Sequence, residues 1–256
     1  MIIALLTDFG RKDYFVGAMK GVILSINTEA KIVDLTHEIE PQNITSAGFT
    51  LASCYQNFPP KTIFVAVVDP GVGSNRRAIL VQTDQYFFVA PDNGLLSFVF
   101  ENESYFCVFE LTEPKFFSKN VSRTFHGRDV FAPVAAWLSK GIAPNEFGRE
   151  VIDFIKFESA KPKVISASEL EAAIIHVDRF GNLITNLKRS DLPEKFIIEI
   201  NQTSIENHLN FYAEAESDEV FTIWGSAGYL EIVVFQNSAS EILKVKTGEK
   251  ILVKPL

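Results

Sequence analysis

The 256-residue chain has little of what several functional classes require. It holds only two cysteines, Cys54 and Cys107, without metal-type spacing and in apolar surroundings. They are expected to be buried free thiols and not a disulfide or a ligand pair. The longest apolar run, around Ile63 to Val68, is far short of the roughly 20 residues a membrane-spanning helix needs, which excludes a membrane span. Positive charge is in deficit: 24 Lys and Arg against 32 Asp and Glu leave a net charge of −8. No stretch concentrates the basic residues, which argues against nucleic acid as a partner. Between Met1 and Thr7 stand five apolar residues, with no basic segment before them, so no secretory signal is expected and the location should be cytoplasmic. Asn-X-Ser/Thr sequons at Asn43, Asn102, Asn120 and Asn201 are then chance matches. The four histidines, His37, His126, His176 and His208, lack the i,i+4 spacing of a helical zinc site, and no metal is expected.

What is present is apolar: 47% of residues are hydrophobic and 12% aromatic, enough for a soluble globular protein with a real core. From Met1 to about Lys140, β-rich runs alternate with amphipathic stretches, the pattern of strands joined by helical crossovers. The runs Ile2–Leu6, Lys31–Leu35, Ile63–Val68, Ala78–Gln82 and Tyr86–Ala90 read as strands. Tyr14–Ile26, Asn43–Asn57 and Asp129–Ser139 read as helices, the last with a proline near its start, where proline is tolerated. From Ala143 to Lys163 the chain is rich in proline, glycine and charge, which places a domain boundary near 160–168. Beyond it Ala172–Val177, Phe196–Ile200, Glu219–Ile223, Tyr229–Val234 and Lys250–Val253 alternate as strands separated by turns. The expectation is an α/β N-terminal domain, 1–163, with a mostly parallel sheet, and a smaller all-β, barrel-like C-terminal domain, 168–256.

Several familiar motifs fail. Asp8-Phe9-Gly10 matches a kinase triplet without the rest of the kinase set. Gly71-Val72-Gly73 lacks the third glycine of a dinucleotide fingerprint, no GxxxxGK[ST] loop occurs, and Gly225-Ser226 is not a nucleophile elbow. Other segments stand, each polar, glycine-containing and directly after an apolar strand: Thr7-Asp8-Phe9-Gly10, Asp69-Pro70-Gly71-Val72-Gly73 and Pro91-Asp92-Asn93-Gly94. In an open α/β sheet, ligands bind beyond the carboxyl ends of the strands. Thr124–Asp129 supplies His126 near the same edge, and Asp178–Asn186 follows a strand in the second domain. Each has a plainer reading: Asp8 as a helix cap, Asp92-Asn93-Gly94 as turn chemistry, Asp129 as an N-cap and His126 as an ordinary hydrogen-bonded residue.

Taken in order, TDFG-x-x-DYFVG-x-MKG, VDPGVGSNRR, APDNGLL, TFHGRDVFAPVAA, DRFGNLITN and GYLEI resemble the S-adenosylmethionine (SAM) hydrolase, adenosine-forming family. These hydroxide adenosyltransferases are related to fluorinase and chlorinase, and the resemblance runs from Thr7 to about Gln236. It implies a hydrolase that converts SAM and water to adenosine and methionine, with no cofactor. It also implies a homotrimer whose active sites lie between one subunit's N-terminal domain and its neighbour's C-terminal domain. The family's Asp-Arg-His set falls on Asp69, Arg76 and His126. Asp8 matches the aspartate that holds the ribose hydroxyls, Phe180 and Asn182 match residues around the adenine, and Asp178 and Ser226 match groups around the methionine ammonium and carboxylate. Glu231 and the Val234 backbone are further substrate contacts. The halogenases carry tyrosine at Asp69, threonine at Val72 and serine at Gly127, departures that favour water over halide, while fluorinase's carboxylate-binding arginine corresponds to Ala227.

The chemistry suits these residues. Attack at the 5′ carbon expels a neutral thioether, so no general acid is required and the demand falls on holding and activating water. Asp69 can accept a proton, Arg76 can orient it or stabilise developing hydroxide, and His126 can complete the hydrogen bonds or relay the proton. A halogenase, or a binding module without catalysis, would share the pocket; the complete Asp69-Arg76-His126 set favours the enzyme.

Overall fold

The computed structural model describes residues 1–157, 161–166 and 168–255. They form two compact units, Met1–Phe157 and Glu158–Leu256. In the first, the strands are β1 (Ile2–Thr7), β2 (Lys31–Thr36), β3 (Ile63–Val67), β4 (Ala78–Thr83), β5 (Phe87–Pro91) and β6 (Phe106–Glu110). The helices are α1 (Phe15–Ile26), α2 (Ile44–Ala52), α3 (Ser97–Asn102) and α4 (Ala132–Ser139). The sheet order is β2-β1-β3-β5-β4-β6. The β2, β1, β3 and β5 neighbours run parallel, and β4 is antiparallel to both β5 and β6.

Side chains alternate faces along a strand, so a continuous apolar run is what a sheet covered on both faces requires. Ile3, Leu5, Ile63, Val65 and Val67 enter one core with α1 and α4 residues such as Met19 and Val134. Ala4, Leu6, Phe64, Ala66 and Val68 enter the opposite core with α2 and α3 residues such as Leu51 and Val99.

Three local expectations need correction. The helix starting after Asn43 ends at Ala52, not Asn57; Ser53 Oγ donates back to the Phe49 carbonyl, 2.8 Å, and Cys54 leaves helical geometry at φ −131°. A separate short turn, Tyr55–Asn57, precedes Pro59-Pro60. The helix expected from Asp129 instead begins with a wide π-type turn over Gly127–Phe131, closed by the Ala132 amide donating to the Gly127 carbonyl. Pro133 has no N–H for the Asp129 carbonyl, which instead accepts the Ser118 amide at 2.9 Å. Asp129 is therefore inside the turn and is not its N-cap; its carboxylate accepts the Ser122 amide and Arg128. The cysteines are free thiols but only partly buried, Cys54 at the frayed end of α2 and Cys107 on the edge strand β6.

The second unit contains β7 (Lys163–Ser166), β8 (Glu169–Val177), β9 (Leu183–Lys188), β10 (Phe196–Ile200) and β11 (Thr203–Ile205). It continues with β12 (Val220–Trp224), β13 (Tyr229–Val234), α5 (Ala239–Leu243) and β14 (Lys250–Pro255). The order is β11-β10-β14-β8-β9-β13-β12, with β7 also on β8, and the pairings are antiparallel. A bridge between His208 and Thr222 brings the two ends together, so the sheet is a nearly closed barrel around Ile174, Leu183, Ile198, Leu230, Ile232 and Ile251. No helix among the described residues is long and apolar enough to cross a membrane.

Candidate active site

Because β1, β3 and β5 are parallel neighbours, the residues that follow them, Asp8, Asp69 and Asp92, emerge at one sheet edge. From Asp69 the chain turns through Gly71 and Gly73, with the Val72 amide donating to the Asp69 carbonyl and the Ser74 amide to Gly71. Gly73 takes the left-handed φ of +78°, and a Cβ there would run into the Arg123 carbonyl, so glycine is required on both counts. This turn is what the failed dinucleotide motif builds, and it returns Arg76 onto Asp69. Arg76 Nε donates to Asp69 Oδ1 at 2.8 Å and Nη2 donates to Oδ2. Both side chains are at least nine-tenths buried, and the guanidinium lies over the Phe131 ring.

Arg76 Nη2 also meets His126 Nδ1 at 2.8 Å. A guanidinium cannot accept a hydrogen bond, so Nδ1 is the acceptor and the proton of the neutral imidazole sits on Nε2. Burial, and then the Arg76 cation, push the His126 pKa below its ordinary value, which favours the same neutral ring. The three side chains thus form one hydrogen-bonded set, with Arg76 and His126 lining a cavity of about 300 Å³ together with Phe117, Val121 and Val130.

Asp8 stands apart from that set. Its carboxylate accepts the Gln42 amide at 2.8 Å. The turn carrying it is pinned by His37, whose Nδ1 lies 2.8 Å from Thr7 Oγ1 and whose carbonyl accepts the Gly10 amide. Phe9, Tyr14, Phe15 and Phe125 form an aromatic cluster beside it. His37 was indistinguishable from any other histidine in sequence; a buried imidazole directly after an edge strand is the only signal it offers. Asp92 is held by Arg77, and Asp129, which is not the N-cap expected of it, by Arg128.

In the second unit, a cavity of about 830 Å³ is lined by Asp178, Phe180, Asn182, Ser226, Glu231 and Val234 together. Asp178 Oδ1 accepts the Phe180 and Asn182 amides, and Oδ2 accepts Asn182 Nδ2, so one carboxylate shapes the whole turn after β8. Phe180 projects from that turn, 76% exposed. The Glu231 carboxylate lies on Gly225, where any Cβ would overlap it. Burial and the neighbouring Asp178 push its pKa up. Tyr212 faces it at 3.4 Å, its hydroxyl pushed up to about 12 by burial and by Glu231. Tyr212 and Trp224 are wall residues that sequence reasoning missed; Trp224, directly before Gly225-Ser226, was the more visible of the two. The wall has two carboxylates, several aromatic rings and no lysine or arginine among its described residues, a lining suited to a flat, positively charged ligand.

The chain matches the SAM hydroxide adenosyltransferase N-terminal domain over residues 3–148 and the corresponding C-terminal domain over 172–252. It is 38% identical to the (R)-S-adenosyl-L-methionine hydrolase of Methanocaldococcus jannaschii, covering 98% of this chain and 94% of that protein. It is 30% identical to the fluorinase of an Actinoplanes species, over 75% of this chain and 73% of that one. A crystal structure of an uncharacterized conserved protein from Thermotoga maritima superimposes with a TM-score of 0.88 at 36% identity, covering 99% of this chain and 100% of the other. Matched by both domain models and by relatives this similar along nearly its whole length, the chain belongs to the SAM hydroxide adenosyltransferase family.

Proposed function

We propose that this chain is an (R)-S-adenosyl-L-methionine hydrolase that releases adenosine and methionine by attack of water at the ribose 5′ carbon. The observation that carries the reading is the Asp69-Arg76-His126 set, joined by hydrogen bonds around a buried ion pair, in a chain 38% identical to a hydrolase of that name. As the oxygen–carbon bond forms, the carbon–sulfur bond breaks and sulfur keeps the electron pair, leaving as a neutral thioether. Water loses a proton, which Asp69 accepts on a lone pair that Arg76 leaves free. Arg76 holds the carboxylate in place through its paired donors. His126, its Nδ1 occupied by Arg76, offers Nε2–H to the water and fixes the direction of its remaining lone pair. Enclosure strengthens these contacts as the sulfonium charge disappears.

Substrate roles follow the same family reading. Asp8 takes the ribose hydroxyls, Phe180 and Asn182 the adenine, and Asp178 and Ser226 the methionine ammonium and carboxylate, with Glu231 and the Val234 backbone beside them. The acidic, aromatic cavity supports this for a ligand carrying both a sulfonium and an ammonium. The reading includes a homotrimer, with the reacting set of one subunit completed by the cavity of its neighbour. It also includes a cytoplasmic location, in keeping with two unpaired cysteines.

A halide-using reaction is the alternative, given the fluorinase relatives. Against it, Asp69 is engaged as described, and a Cβ at Gly127 would lie 3.3 Å from Met19, Phe125 and Phe9, which is tight for the serine that halogenases carry there. Purified protein incubated with SAM, with and without chloride or fluoride, tests the choice by chromatography. Adenosine and methionine in equal amounts without halide are expected. A 5′-halogenated nucleoside, or retained adenosine without turnover, would contradict it.

A further inference from the structure

The Asp92-Asn93 turn, so far assigned only to turn chemistry, lies between the two partners of the reacting ion pair. In the sheet, β5 is flanked by β3, whose end delivers Asp69, and by β4, which starts just after Arg76 and Arg77. Neighbouring strands are about 4.8 Å apart, so Asp69 and Arg76 reach toward each other across a gap of about 10 Å, over the end of β5.

The turn after β5 bonds to both sides of that gap. Asn93 Nδ2 donates to the carbonyl of Val68, 2.9 Å, the residue directly before Asp69. The Asp92 amide donates to the carbonyl of Arg77, 3.0 Å, the residue directly after Arg76. Arg77 returns the contact, with Nε 2.9 Å and Nη2 2.7 Å from Asp92 Oδ2. The turn is itself fixed: Asn93 Oδ1 accepts the Leu95 amide at 3.2 Å, and Asp92, 3% exposed, accepts the Ile155 amide on its other oxygen at 2.8 Å. Reacting groups must be held to within about 0.5 Å by supports that are themselves locked.

We propose that the Asp92-Asn93 turn is the spacer that sets the separation and aim of Asp69 and Arg76, with Asn93 as the positioning residue for the Asp69 carboxylate. The proposal rests on the assignment of Asp69 to the reaction.

The test is Asn93→Asp, which keeps the acceptor for Leu95, removes the donor to Val68 and sets a carboxylate against its carbonyl. The expected result is a fall in kcat of about ten- to a hundredfold, because small misplacements near the reacting atoms cost that much. KM and the Kd for adenosine should stay within about twofold, and in an Asp69→Asn background, read by single turnover, Asn93→Asp should lower the rate no further. A rise in KM at unchanged kcat, an unaltered rate, or an equal further fall in the Asp69→Asn background would overturn the proposal. So would a structure of Asn93→Asp with slowed turnover and an undisturbed Asp69–Arg76 pair. Should Asn93→Asp lose adenosine binding through misfolding, Asn93→Ser, a milder change, is put through the same comparisons. Failure of the underlying assignment shows separately, as wild-type turnover by Asp69→Asn alone.

Discussion

Arg76 donates to both oxygens of Asp69 and to His126, so one guanidinium fixes the geometry of the other two side chains. A lysine ammonium has no planar fork and cannot make all three contacts in the same directions. Arg76→Lys is expected to lower kcat by about a hundredfold with the fold retained; steady-state rates within about threefold of wild type would contradict the shared role. His126 sets a pH limit. Its protonation would remove the Nδ1 acceptor and place a second cation against Arg76, and its pKa lies below the ordinary histidine value. The kcat/KM profile should therefore stay level from neutral pH down past about 6.5 and fall only below it, with that limb lost in His126→Gln. The linked stability has the same sign: it is complete above the unfolded-state value and declines as pH falls toward the lowered folded one. A limb at or above the ordinary value would count against a neutral His126. At this scale the sequence made Asp69, Arg76 and His126 visible as a set through family resemblance, yet not the tautomer, which depends on which nitrogen Arg76 reaches. His37 and Tyr212 were invisible because their contacts come from distant parts of the chain.

Among the elements, the turn from Asp69 to Arg76 has the least freedom. Gly73→Ala places a Cβ at φ +78° and against the Arg123 carbonyl, so it should lower Tm and slow turnover together, since the turn must shift and Arg76 with it. Calorimetry and a rate assay on one preparation check this; an alanine variant with wild-type values for both would show that the turn does not hold Arg76. Five of the six strands of the first unit were readable, the central ones because a sheet buried on both faces needs uninterrupted apolar residues, as in Ile63–Val67, whereas the partly buried edge strand β6 was not read. Leu183–Lys188 was not, because two of its buried residues are polar. Thr185 Oγ1 donates to the Leu230 carbonyl and Asn186 accepts the Ala173 amide, pairings that make a polar segment into a core strand. The proline in the last helix of the first unit was expected to be harmless at its start, but its missing N–H widens the turn that carries Asp129.

In the whole molecule, the Asp69-Arg76-His126 set and the acidic aromatic cavity belong to different compact units, and the trimeric reading assigns them to different subunits at each site. Activity per chain should then fall steeply with dilution, in step with loss of the trimer by sedimentation. A monomer with full specific activity would rule out a shared site. The central claim, that water attacks the ribose 5′ carbon of SAM, is tested most directly by turnover in heavy-oxygen water with mass analysis of both products. The label is expected on the 5′ hydroxyl of adenosine and absent from methionine, and its incorporation should be lost in Asp69→Ala. Unlabelled adenosine, or label in methionine, would contradict attack at that carbon.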